Sequence, residues 1–199
     1  MARSLALLAP LFLSSGCAWL FGHGELPQPR DPVRPVPAQA RATAGPLAME
    51  ATWLGVGERI VTARNVWGRA ARMVNPFGAD TYRVRITLRA TGPEPVVILP
   101  ERATLADDAG HERPARTLAD YRARWPGWAA VSDAEDADRR AAYEHLLGVV
   151  LIAREVGSAE DVVGEIGFPA FPPVRKLTLR LPYERGFKPG AVTATWEGL

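Results

Sequence analysis

A chain of 199 residues, 47% of them hydrophobic, has room for one ordinary domain with accessory segments, and needs no metal or disulfide to hold a core. The net charge is +2, and nearly all the positive charge is arginine, with Lys176 and Lys188 as the only lysines. The arginines are interleaved with Asp and Glu rather than gathered in a stripe, which excludes the electrostatic footprint of a nucleic-acid binder.

The first element is a leader. Arg3 supplies a short positive start, Leu5 to Leu13 an apolar run broken by Pro10, and Ser14, Ser15 and Gly16 follow at once. That order predicts a secretory signal peptide, and the run falls short of the roughly 18–20 residues that a membrane-spanning helix requires. Cys17, the only cysteine, comes next. An odd cysteine in an exported chain asks for a reason.

"SSGC" resembles the end of a bacterial lipoprotein signal, with Ser14 where the commonest form has leucine. The resemblance implies removal of residues 1–16, a diacylglycerol on the Cys17 thiol and acylation of the new amino group. Several acyl chains, at about 0.8 kcal/mol per buried methylene, make a stable membrane anchor. Ala18 is not the aspartate that marks inner-membrane retention in that family. This implies the outer membrane facing the periplasm, with the cell surface as the alternative. The plain alternative to lipidation is a secreted protein cut near Gly16, with a free or buried thiol.

From Ala18 to Pro46 the chain is punctuated by Pro27, Pro29, Pro32, Pro35, Pro37 and Pro46. Dense proline without apolar periodicity predicts an extended spacer at roughly 3.1 Å per residue. We therefore expect a lipidated N-terminus and tether over 17–46 and a folded domain over 47–199. "PVRPVP" as a docking motif is the other reading.

Period-two alternation dominates from Met49 onward. "TYRVRITLRA" puts Tyr82, Val84, Ile86 and Leu88 on one face and Arg83, Arg85, Thr87 and Arg89 on the other, a half-buried antiparallel strand. "ERIVTARNV" and "PVVIL" are shorter strand candidates, and "TGPEP" is a turn. "RATLADDAGHERPA" reads as strand, turn, strand. Ser132 to Glu135 form a capping box. A helix follows with Tyr143, Leu146, Leu147, Val150 and Leu151 on one face and Gly157 as its stop, although "VVLIA" alone also suits a strand. "TLADYRARW" predicts a shorter helix. "RKLTLRL" and "AVTATWEG" close the sheet. The sum is a mainly β sandwich with a helical insertion at about 117–157, α+β by content.

"YRVRITLRATGPEPVVILPERATLADDAGHE" and "VVGEIGFPAFPPVRKLTLRL" are similar to the core and closing segments of immunoglobulin-like domains of unknown function in bacterial lipoproteins. The resemblance implies an immunoglobulin-like antiparallel β-sandwich and a tendency toward binding or envelope assembly. It implies no activity.

Chemistry is sparse. His23, His111 and His145 share no metal-ligand spacing. Asp107, Asp108 and Glu112 surround a glycine without the alternating carboxylates of a calcium loop, and read as a solvated turn. There is no G-x-S-x-G elbow, and Gly55-Val-Gly57 reads as a turn. Glu135, Asp136 and Asp138 offer carboxylates for a glycosidase pair, but sit where a helix dipole favours negative charge. No catalytic residue, metal site or cofactor is assigned. The candidate partner surface is "YRARWPGWAAV", where Tyr121, Arg122, Arg124, Trp125 and Trp128 combine residue types enriched at binding hot spots. The alternative packs both tryptophans beneath the insertion. "NPFGAD", with Phe77 at its tip, is expected to cover a sheet end.

The expectation is a membrane-anchored envelope lipoprotein that serves as a non-catalytic binding or assembly module with an envelope protein partner. A glycan or peptidoglycan hydrolase and a lipid or small-ligand carrier are the rival classes.

Overall fold

The computed structural model describes residues 38–56, 60–64, 67–68, 70–75, 77–78, 80–123, 136–172 and 174–197. Cys17 and the proline-rich segment up to Pro37 lie outside them. Two antiparallel sheets face each other. The first has the order β1 (Gln39–Ala44), β2 (Leu47–Val56), β5 (Thr81–Ala90), β10 (Val162–Pro169). The second is built on β11 (Lys176–Arg185), which pairs on one side along its full length with β12 (Lys188–Glu197). On its other side β11 meets β6 (Val96–Ile98) and then β7 (Thr104–Ala106), two collinear pieces backed by β9 (Arg154–Val156) and β8 (Glu112–Pro114).

A 3-10 turn at Pro100–Arg102 separates those two pieces. It explains how Pro182 sits in the middle of a ten-residue strand. The Pro182 carbonyl accepts from the Leu99 N–H, so the side on which this proline lacks a donor is the side where the ladder is interrupted.

The alternation read in β5 is realised in full: Tyr82, Val84, Ile86 and Leu88 are buried between the sheets. Leu47, Met49, Ala51 and Trp53 of β2, Leu177, Leu179 and Leu181 of β11, and Val192, Ala194 and Trp196 of β12 meet them there. Past Trp53 the β2 register slips by one residue at Gly55, whose φ of +68° suits glycine, and Val56 regains the inner face.

Two expectations are corrected. The folded part begins with β1, not at residue 47. Ala40, Ala42 and Ala44 alternate with Gln39, Arg41 and Thr43, and the alanines are small enough to slip against the core edge while remaining weak strand formers. The main helix, α2 (Asp136–Leu147), stops ten residues before Gly157. Gly148 ends it, and the chain turns onto the edge of β10, where Val150 bridges Glu165 in parallel. "ERIVTARNV" gives the strand read from it, β3 (Ile60–Arg64), which pairs with β4 (Ala70–Val74) in a separate two-stranded ribbon laid against α2.

Candidate functional site

The outer face of the four-stranded sheet carries the insertion. Alternation along β10 turns Val162, Ile166 and Phe168 inward and Glu165 and Gly167 outward, opposite Arg85 and Arg83 of β5. Glu165 is only 6% exposed, a position a carboxylate holds only with partners. It has two, accepting from Arg83 at 3.2 Å and Arg85 at 3.0 Å. Its backbone is engaged as well: the Glu165 N–H donates to the Val149 carbonyl, and the Leu151 N–H donates to the Glu165 carbonyl. The Arg83 guanidinium also lies 5.6 Å from the centre of the Phe77 ring. An ion triad of this kind adds little net stability, because the cost of taking the charges out of water offsets their attraction.

α1 (Leu118–Ala123) is seated just beside it. The Thr117 hydroxyl accepts from the Asp120 N–H, and the Asp120 carboxylate accepts from the Thr117 N–H, a reciprocal cap that starts a six-residue helix. Arg116, one residue earlier, donates through its backbone N–H to the Gly167 carbonyl and through its guanidinium to the Asp80 carboxylate. Tyr121 then drops onto the sheet. A Cβ at position 167 would lie 1.9 Å from the Tyr121 hydroxyl oxygen and 2.9 Å from the Thr81 methyl, so only glycine fits beneath the tyrosine. Phe77 meets Tyr121 edge-on at 4.9 Å, and the Tyr143 hydroxyl of α2 donates to the Tyr121 carbonyl. With Ala142 and Leu147 these residues form a second, smaller core.

Tyr121 is therefore fully buried, which corrects its placement among exposed contact residues. Its ring is the peg that docks the insertion. Phe77 is buried in that second core as well. Arg122, the next residue, points the other way: it is exposed and donates to Glu144 of α2 at 2.9 Å. That hydrogen bond, and then the charge of Glu144, hold the Arg122 guanidinium above its ordinary pKa. Arg124, Trp125 and Trp128 lie outside the described residues, as does Glu135. Asp136 and Asp138 fall in the first turn of α2.

A cleft of about 370 Å³ opens where the insertion meets both sheets. Pro100, Leu118, Val150, Ile152 and Ile166 make it mainly apolar, and Glu101, Arg116 and Glu165 contribute its charged groups. Sequence reading missed Glu165 and Gly167. The available signal was "VVGEIGFP", where two glycines inside a strand pattern mark close approaches. Gly167 admits Tyr121 on the outer face, and Gly164 admits Leu151 on the inner one.

The acidic turn after β7 is spent on its own backbone. The Asp107 carboxylate accepts from the N–H groups of Ala109 and His111 and pairs with the His111 ring at 2.9 Å. The His111 N–H is the main cause that holds the Asp107 carboxyl below its ordinary pKa, outweighing desolvation, with the His111 ring and the Ala109 N–H adding to it. A depressed folded value means that this support is complete above the ordinary carboxylate range and is lost as pH falls through the depressed one. Amide protection factors at Ala109 and His111 are thus expected to fall on acidification, and to be low at all pH values in Asp107→Ala. Protection in that variant equal to the parent would show that the carboxylate does not hold the turn.

No protein-family model matches the chain, and no curated protein matches it. Among solved structures it is similar to the yjhA protein of Bacillus subtilis, at 15% identity and a TM-score of 0.38, over 70% of this chain and 75% of that one. A likeness at that level carries no argument about function.

Proposed function

We propose that this chain is an exported, lipid-anchored envelope protein, held by Cys17, whose sandwich is a non-catalytic binding or assembly module with the insertion as its contact element. The observation that carries the reading is the seat of Tyr121 on Gly167. A contact surface needs footing, and here a short helix is fastened by its cap, by Arg116 and by a peg that only a glycine admits. That footing holds Arg122 outward and fixes the point at which the chain leaves toward Trp125 and Trp128. Side chains such as Trp53, Tyr82, Leu179 and Trp196 fill the space between the sheets, which weighs for a surface function over an internal carrier cavity.

Two readouts test the proposal. Fatty-acid labelling in cells is expected on the parent protein and lost in Cys17→Ser, which leaves the membrane fraction; label that persists in the variant rejects the anchor. Cross-linking in intact envelopes is expected to capture a discrete partner that Trp125→Ala/Trp128→Ala loses at unchanged melting temperature. The same cross-links in both forms would place the contact surface elsewhere.

A further inference from the structure

The β11–β12 hairpin ends in a two-residue turn, Gly186-Phe187, with Arg185 and Lys188 as its last pair. Gly186 has a φ of +59°, and no non-glycine among the described residues has a positive φ, so the turn needs its glycine first. It makes no comparable demand at the second position, where small polar residues serve. Phe187 stands there all the same, at 105% relative exposure. Among the described residues, nothing covers it.

The finger that carries it is rigid. The strands pair to their last residues, the Tyr183 ring covers Gly190 on the facing strand, and the Tyr183 hydroxyl donates to the Ala44 carbonyl of the β1–β2 turn. Two cations flank the phenylalanine. Arg185 is braced by Glu94 at 2.7 Å, whereas Lys188 is exposed and makes no ion pair among the described residues. A convex apolar tip with a free ammonium group beside it is poorly shaped for a flat protein surface. It is well shaped for the boundary between headgroups and acyl chains.

We propose that this tip is a lipid-contacting finger: Phe187 enters the interface of an anionic bilayer, and Lys188 meets lipid phosphate. The inference rests on the proposed anchor for its effect. One buried phenylalanine raises partitioning by roughly 10- to 100-fold, and one cation near an anionic surface by about 5-fold. That is too little to recruit a free protein, but enough to set the pose of one already held at the membrane. Geometry permits it. Ala38, where the spacer joins β1, lies at the end of β1 remote from the Ala44 contact with Tyr183. The residues from Ala18 to Pro37 can span about 60 Å, more than the roughly 33 Å of a ten-residue strand.

The chain has one cysteine. With Cys17 acylated, Phe187→Cys offers one free thiol for an environment-sensitive fluorophore, and Thr195→Cys, exposed toward the other end of β12, is the control. The full-length protein is reconstituted in vesicles of phosphatidylethanolamine and phosphatidylglycerol containing spin-labelled lipid. Quenching is expected to be several-fold stronger at 187 than at 195, and to weaken with Lys188→Glu or in phosphatidylcholine. Equal quenching at both positions, or stronger quenching at 195, overturns the finger. Mass analysis of Cys17 reads the anchor separately. Should it carry no lipid, the anchor reading fails, and position 187 is then tested in a Cys17→Ser background, with the protein held on the same vesicles by an N-terminal histidine tag and nickel-chelating lipid.

Discussion

Gly167→Ala is expected to destabilise the protein by about 3 kcal/mol, read as a lowered urea midpoint. The new methyl group would lie 1.9 Å from the Tyr121 hydroxyl oxygen, 2.9 Å from the Thr81 methyl and 3.3 Å from the Tyr121 Cζ. No rotamer of alanine relieves this, so either β10 or α1 must shift. α1 is the weaker of the two. It is six residues long, whereas β10 pairs with β5 over its whole length. The damage should therefore be uneven. Amide exchange in α1 and α2 should accelerate more than exchange in β5 and β10. Adding Tyr121→Phe removes the worst contact and leaves the Cζ and Thr81 contacts, so the double variant should recover part of the loss. A Gly167→Ala protein as stable as the parent would mean that Tyr121 is not the peg, and the footing argued for the contact surface would go with it.

The same residues show what could be read from the sequence and what could not. β5 was legible because four large apolar residues alternate with three arginines and a threonine, and only one face of a sheet can be buried that way. β1 obeys the same alternation with alanine as its apolar member, and alanine is equally at home in a helix or a spacer. The end of α2 was ambiguous for a related reason. Val149 to Ile152 are apolar at helical and strand spacing alike, and the choice is made by Gly148 together with an open edge on β10 that accepts Val149 and Leu151. Tyr121 was misplaced because an aromatic among arginines reads as surface. Its burial depends on a glycine 46 positions away, as 167 − 121 gives. Local periodicity finds faces, but it does not find which two faces meet.

Trp196→Ala is expected to cost about 3–5 kcal/mol, a large share of the roughly 5–15 kcal/mol that holds a domain folded. The indole is 1% exposed and is one of the largest fully buried side chains. It stands edge-on to Trp53 at 6.0 Å, Trp53 lies 5.1 Å from Tyr82, and Tyr82 meets Phe171 at 5.0 Å. This aromatic chain bridges β12 of one sheet to β2 and β5 of the other, so truncation opens a cavity where the sheets are clamped together. Trp196→Phe separates packing from polarity. The Trp196 Nε1–H is buried without an acceptor among the described residues, an arrangement that works against the folded state. Phenylalanine loses volume but also removes that orphaned donor, so its net cost is expected to be about 1 kcal/mol, well below that of alanine. A phenylalanine variant as unstable as the alanine one would show that the indole nitrogen is satisfied in solution and that the clamp depends on the full indole.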